Sequence, residues 1–445
     1  MNLTKRFCML RKLDYPLLGL MLIFVVSFVV MSIALYKSEV IFNGINRAHY
    51  YIYYLLAFLG ISLSLTLCFV SKKMRAEIVL VLVALIVGIY ASEFALGVLS
   101  RDNGKLTERQ FLDDLLKEDK NAVPRLLPGF FVESNGIGVK NKIFPLAGIS
   151  NRLTVHCNES GEMITYFSDR HGFNNPDSVW NNNTALITIG DSFTQGDCVP
   201  QSNSIASNLR NITGKNVINL GMGGNGPLIE FATLAEYGKR VKSQYVLWIF
   251  FEGNDLFDLV TEQQSNFLLS YLEGTGDQSL IHRQAEIDNA LLQWLESRHH
   301  DRDKYTIANF LMLKRIRGLL FSSLAHGATN RRFDSIWPLM HTVLKEAKKM
   351  TESWGGKFVF VYLPSYERYS GKVLDQDGYL DKAVVIEAVR RLQIPVIDIH
   401  EDFLKDNDPL RFFPYRKNGH YNEEGYLMVS RSLAKNLQLN SIADR

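Results

Sequence analysis

From Pro16 to Tyr36 the chain reads PLLGLMLIFVVSFVVMSIALY, 21 residues without a charged side chain. Backbone that enters hydrocarbon must satisfy its N–H and C=O groups internally, so such a run folds as a helix. At about 1.5 Å per residue its length matches the roughly 30 Å apolar thickness of a bilayer. Residues 50–71 and 78–100 repeat the pattern, the last interrupted only by Glu93. Residues 1–100 are therefore expected to hold three transmembrane helices. A cleaved signal peptide is the rival reading of the first run, but that run is long and Tyr36-Lys37-Ser38-Glu39 offers no small-residue cleavage site.

Charge orients the bundle. Lys5, Arg6, Arg11 and Lys12 precede the first span, and Lys72, Lys73 and Arg75 join the second to the third, whereas the loop between the first two holds only Lys37 and Arg47. The positive-inside rule puts the amino terminus in the cytoplasm and everything after about residue 100 outside it. The expected location is a bacterial inner (cytoplasmic) membrane, multi-pass, with the remainder in the periplasm of a Gram-negative cell. Glu93 is an ionisable group inside a span, which marks it for function; toward the outer end of its helix it also has the option of snorkelling to the interface.

The full chain of 445 residues exceeds one ordinary domain. Lys plus Arg at 49 against Asp plus Glu at 46 leaves no basic excess of the kind that binds nucleic acid. Cysteines follow the compartments: Cys8 and Cys68 fall in the tail and second span, and Cys157 and Cys198 are the two in the exported part. In an oxidising space these two are expected to pair, clamping the segment before the sheet to the loop after Ser192. Two buried free thiols are the alternative.

A polar, mixed-charge linker runs from Arg101 to about Lys120, and residues 129–180 form short β-like runs broken by Gly, Asn and Pro. Residues 101–182 thus read as a linker and a small β-rich lead-in. From 183 apolar strands alternate with amphipathic helices, which predicts a parallel sheet in a three-layer α/β/α domain. The expected strands are 185–189, 216–220, 245–251, 357–363 and 394–399. Between the third and fourth lies a mostly helical stretch, with an insertion at about 258–334 beyond what one crossover needs. Within it FLMLKRIRGLLFSSL has basic and apolar faces suited either to lipid headgroups or to a solvated surface helix.

Four motifs sit at strand ends or loops of this domain. In ALITIGDSFTQG the first strand stops at Gly190, and Ser192 begins a helix, where its side chain projects into the crevice at the carboxyl end of the sheet. A serine at a helix N-terminus with no chemistry is the plain alternative. The second strand runs into Gly221-Met222-Gly223-Gly224-Asn225-Gly226-Pro227, whose N–H groups can face an anion. It lacks a P-loop lysine and departs from GxGxxG, so no nucleotide cofactor is expected. The third strand ends in Glu252-Gly253-Asn254-Asp255, where a carboxamide suits a developing oxyanion or simply a turn. His420, in the loop NGHYN before the last helix, is placed to act as a base on Ser192. No clustered His, Cys and carboxylate ligands suggest a metal.

In this order and spacing the four motifs resemble the SGNH family of GDSL-type esterases and acyltransferases, over roughly residues 183–437. The resemblance implies a flavodoxin-like SGNH domain with Ser192 as nucleophile, His420 as base, and an oxyanion hole of the Ser192 and Gly224 N–H groups and the Asn254 side chain. Gly224 takes its place as the glycine five residues after Asn219. One member departs from the pattern: the family usually carries Asp three residues before the histidine, and here that residue is Lys417. Three substitutes to orient His420 are open: the Lys417 main-chain carbonyl, the Asn418 carboxamide, or a distant acid such as Asp402, Asp406 or Asp408. The main-chain carbonyl is preferred.

The expected function is a membrane-anchored, periplasm-facing serine esterase that cleaves an O-acetyl or acyl ester on an envelope glycan or a lipid through an acyl-enzyme. An O-acyltransferase that modifies exported polysaccharide, working beside envelope-polysaccharide machinery, shares the same residues. A non-catalytic glycan- or partner-binding domain is the reading from a different class.

Overall fold

The computed structural model describes residues 15–41, 47–99, 108–138, 142–317, 329–371 and 382–439. Cys8, the linker at 101–107 and the 318–324 part of FLMLKRIRGLLFSSL lie outside these. The chain divides into two compact units: the described parts of Met1–Gly104 and Asp303–His326, and those of Lys105–Arg302 and Gly327–Arg445.

In the first unit, Tyr15–Leu35, Arg47–Leu67 and Lys72–Leu99 are helices. Among the described residues three helical stretches are long and apolar enough to cross a membrane: Pro16–Val40, Tyr50–Leu67 and Lys72–Leu96. Glu93 does not snorkel. Its carboxylate is buried, and its two oxygens accept the backbone N–H groups of Arg315 at 3.0 Å and Ile316 at 2.9 Å. Tyr90, one helical turn earlier, donates from its hydroxyl to the Leu311 carbonyl at 2.9 Å. The described part of the basic, apolar segment is therefore tied to the third span by a carboxylate that fills otherwise orphaned N–H groups at the start of a helical turn.

The second unit opens with a helix at Glu108–Glu118, where a linker is expected from sequence. Phe111, Leu112, Leu115 and Leu116 share one face of it and pack on Val155. The lead-in is a three-stranded sheet: β1 (Val123–Pro124) runs parallel to β2 (Leu153–Cys157), which pairs antiparallel with β3 (Ile164–Phe167). Among its described residues the β-like run at 129–144 makes a short turn of helix at Pro128–Phe131 and a bridge between Ile137 and Ile143. Asn135, Gly136 and Gly138 all take positive φ there, which breaks an extended strand.

The main sheet comprises β4 (Leu186–Gly190), β5 (Val217–Asn219), β6 (Tyr245–Phe251), β7 (Lys357–Leu363) and β8 (Val396–Asp398), all parallel, in the order β5-β4-β6-β7-β8. Strand alternation sorts side chains to two faces. Ile187, Ile189, Trp248, Phe250 and Phe360 join one core with the helices at Pro227–Thr233 and Thr329–Ser353. Leu186, Leu247, Ile249, Val361 and Ile397 join the other, with the helices at Ile205–Thr213 and Glu423–Asn436. This is a three-layer α/β/α fold of flavodoxin-like strand order. The order reverses between β4 and β6, and the crevice at such a switch point is where open α/β sheets bind ligands.

Candidate active site

Strand β4 delivers the serine to that crevice. Gly190 closes the strand at φ 158°, and a Cβ there would lie 2.6 Å from the Ile249 carbonyl and collide with the Thr194 hydroxyl, so a side chain is sterically barred. The chain then turns into a short helix, Ser192–Gln195, capped by Asp191, whose carboxylate accepts the Phe193 N–H at 2.9 Å. Ser192 is the partly exposed member of an otherwise buried run.

Strand β5 leads into the glycine-rich turn, which is held from within. Asn219 accepts the Gly221 N–H at 2.9 Å and Gln195 accepts the Gly223 N–H at 2.6 Å. A Cβ on Gly223 would stand 3.8 Å from Ser192 Cβ, so the turn borders the serine. Gly224 follows at φ 70°, a left-handed conformation that glycine adopts without strain. The N–H groups of Ser192 and Gly224 donate to no other described residue, which leaves both free for an incoming oxygen.

At the end of β6, Asn254 caps the helix Asp255–Glu262. Its Nδ2 donates to Asp258 at 2.8 Å, which fixes the carboxamide plane, and a hydrogen bond from Asn254 also favours the charged form of Asp191. Burial, with repulsion from neighbouring acids, pushes Glu230, Asp255 and Asp258 well above the ordinary carboxylate range.

His420 precedes the helix Glu423–Asn436, whose N-cap is Asn422. The Phe193 ring stands 4.8 Å from the imidazole, and the His420 Nε2 lies 2.8 Å from Ser192 Oγ. On the other side, Nδ1 lies 2.8 Å from Glu159 Oε1, and the His420 backbone N–H donates to Glu159 Oε2 at 2.7 Å. The acid beside the imidazole thus comes from the turn between β2 and β3.

None of the expected substitutes fills that place. Lys417 sits in a turn with its N–H donating to Pro414 at 3.0 Å, and the Asn418 carboxamide donates to Glu367 at 2.5 Å. Asp402 is bonded to Lys405 and Ser432, Asp406 faces Arg411, and Asp408 pairs with Arg416 at 2.5 Å. With Nδ1 already occupied by a carboxylate, neither the Lys417 carbonyl nor Asn418 is required to orient the ring. One signal for Glu159 is present in the sequence: it lies two residues after Cys157, the expected partner of Cys198.

The structure joins Cys157 and Cys198 in a disulfide with Cα atoms 5.3 Å apart. Beside it Asp197 is fully buried, 2.5 Å from His156 Nε2, 2.9 Å from Arg125 and 3.8 Å from His420 Nε2. Burial opposes its charge, but His156, His420 and Arg125 overcome that and hold Asp197 well below the usual carboxylate range. Burial likewise lowers the affinity of His420 for a proton, yet the Glu159 hydrogen bond and the charges of Asp197, Glu159 and Asp191 outweigh it and raise the imidazole above 6.5. Glu159 falls below 4.5: burial raises it, and its bonds to His420 more than compensate. Burial lifts Asp191 to about 6.

Glu159, Cys198 and His420 are also the one group among the described residues with metal-like spacing. Its sulfur is spent in the disulfide and its other two members bond each other, so the donor set does not suit a metal.

Among solved structures the chain is similar to a lipolytic protein of the G-D-S-L family from Desulfitobacterium hafniense, at 15% identity over 57% of this chain and 99% of that one, with a TM-score of 0.32. An acetylxylan esterase from Geobacillus stearothermophilus matches at 14% identity over 57% and 94%, with a TM-score of 0.31. An α/β hydrolase from the metagenome of Lake Arreo matches at 13% over 58% and 97%, with a TM-score of 0.33. No protein-family model matches the sequence, and no curated protein matches it. Likeness at this level leaves the reaction to be read from the side chains.

Proposed function

We propose that the protein is a membrane-anchored serine esterase of the SGNH type, facing the periplasm, that cleaves acyl esters on an envelope glycan or lipid. The observation that carries this reading is the continuous relay Ser192–His420–Glu159, with both contacts at 2.8 Å. In this reading Glu159 accepts the Nδ1 proton of His420 and so presents Nε2 as the free base. Nε2 takes the Ser192 proton as Oγ attacks the ester carbonyl. The Ser192 and Gly224 N–H groups and Asn254 Nδ2 receive the oxyanion, and the imidazolium, steadied by Glu159 and Asp197, then protonates the departing alcohol. Water taking the place of the alcohol reverses the proton path and releases the acid.

The test is active-site labelling of the full-length protein in membranes. A fluorophosphonate probe should label wild type and not Ser192→Ala, and p-nitrophenyl acetate should be hydrolysed with the same dependence. Absence of both labelling and turnover in folded protein would remove the reading. Turnover that appears only on adding a glycan acceptor would assign the acyl-enzyme to transfer rather than hydrolysis.

A further inference from the structure

The acid that completes the relay does not belong to the sheet that carries the serine. Glu159 sits on a turn of the lead-in with exposed Ser160, Gly161 and Glu162 beyond it. That turn docks through adjacent residues. His156 and Cys157 on β2 meet Asp197 and Cys198 on the loop after Ser192, the first pair by a 2.5 Å contact between His156 Nε2 and Asp197 Oδ1 and the second by the disulfide.

A regular strand does not present two successive side chains to the same surface, because neighbours point to opposite faces. Here the register of β2 against β3 slips between Val155 and Cys157, and a bulge of that kind re-aims side chains. His156 is the extra residue at this slip, and both His156 and Cys157 are buried. Cys198 adopts φ 65°, unusual for a residue with a side chain, and its sulfur lies 3.8 Å from His420 Nδ1.

Beyond this clasp, the described ties of the turn to the rest of the site are few: the Tyr415 hydroxyl to the Ser160 carbonyl, and Glu159 to His420 itself. A carboxylate on an exposed turn holds a fixed geometry only if the turn is immobilised by something other than the bond it must make.

Resting on the esterase reading, we propose that the Cys157–Cys198 disulfide is a positioning element of the active site. It holds the Glu159 turn against His420, so that the relay is complete in the oxidised chain and incomplete in the reduced one. Reduction breaks the S–S bond, takes up two electrons and two protons from a dithiol and leaves two thiols, while the dithiol closes to its own disulfide. The titratable and charged groups that then still face His420 are Asp197, with Arg125 and His156 behind it, and Asp191.

The experiment uses the full-length protein in nanodiscs, with Cys157→Ser/Cys198→Ser, Glu159→Gln and the triple variant. The His420 imidazole is titrated by 13C-histidine NMR, its signal assigned with His420→Asn, and kcat is measured beside it. In wild type Glu159→Gln should cost about 10²-fold or more in kcat. In the disulfide-free background the same change should cost less than about threefold, because the acid is already displaced. The His420 titration should move to lower pH in the disulfide-free protein, toward the Glu159→Gln value. Should the double variant lose its fold, dithiothreitol-reduced wild type takes its place in the titration.

An unchanged His420 titration, or a Glu159→Gln cost equal in both backgrounds, would overturn the proposal. If wild type shows no turnover at all, the esterase reading fails by that result alone, and the titration still decides whether the disulfide places the acid.

Discussion

The carboxylate of Glu159 lies 2.8 Å from the Nδ1 of His420, a residue 261 positions later in the chain. The acid of the relay is therefore supplied by the small lead-in sheet, and the base by the last loop of the large one. A fragment beginning at residue 183 keeps Ser192 and His420 and loses the group that orients the imidazole.

The pH profile should report that contact. His420 is raised above 6.5 against the opposing effect of its burial, and the Glu159 hydrogen bond is the largest of the raising contributions. Because the base acts in its neutral form, kcat/KM should rise with pH through that raised value. Glu159→Gln should shift the rising limb to lower pH while lowering the plateau by about 10² to 10⁴-fold. A lowered plateau on an unmoved limb would mean that Glu159 does not act through His420.

Stability should depend on pH in the opposite sense. The raised pKa of His420 contributes stability that is complete below 6.5 and disappears as pH rises through its folded value. The lowered pKa of Glu159 contributes stability that is present above 4.5 and disappears as pH falls through its folded value. The pair thus stabilises the fold most between those limits. The difference in Tm between wild type and Glu159→Gln should be largest between pH 4.5 and 6.5 and should shrink as pH rises through the raised value of His420. A difference that grows with alkalinity would contradict the assignment of charge.

Most of the large sheet is legible in the sequence because its strands are buried on both faces. YVLWIFF and KFVFVYL are continuous apolar runs, and the observed β6 and β7 coincide with the runs read at 245–251 and 357–363. The serine, the glycine turn, Asn254 and His420 are legible for a related reason, since each occupies a strand end or helix start where local chemistry dictates residue type. Glu159 has no such local signature. An acidic residue on an exposed turn reads as solvated surface, and its contact with His420 exists only once β2 is bulged and Cys157 is joined to Cys198. The helix at Glu108–Glu118 was obscured differently, because its apolar face is only four residues wide amid charges.

Asn254 should matter to rate more than to binding. Its Nδ2 donates to Asp258 and also hydrogen-bonds Asp191, and the bond to Asp191 is the one that must yield to the substrate oxygen. Replacement by Ala should lower kcat by about 10² to 10³ with little change in KM, as expected for one oxyanion donor that acts mainly in the transition state. A KM effect without a kcat effect would make Asn254 a ground-state contact.

Gly190 should tolerate no side chain. A Cβ would sit 2.6 Å from the Ile249 carbonyl, which is backbone in the neighbouring central strand and has no room to move. Gly190→Ala should cost about 1 to 3 kcal/mol, the usual range for overpacking a dense core, measured as a lower urea midpoint at constant m. Unchanged stability would require β4 and β6 to separate at their carboxyl ends, which would also displace Ser192 and appear as lost probe labelling.

Glu93 makes a structural prediction for the membrane-helix unit. Its two oxygens serve the N–H groups of Arg315 and Ile316, and Arg315 also brings its guanidinium to 3.9 Å. Glu93→Gln keeps one acceptor oxygen, whereas Glu93→Ala removes both and leaves the two N–H groups without their partner. Losing a partner at each of these part-buried donors costs about 1 kcal/mol, the low end for an unsatisfied group, and the two together raise the population of an undocked segment roughly tenfold. Lys314, Arg315 and Arg317 make that segment a tryptic substrate once it opens. Limited trypsin digestion of the full-length protein should therefore cut within 314–317 about tenfold faster in Glu93→Ala than in wild type, with Glu93→Gln between them. Equal cutting rates in all three would show that the carboxylate does not hold the segment.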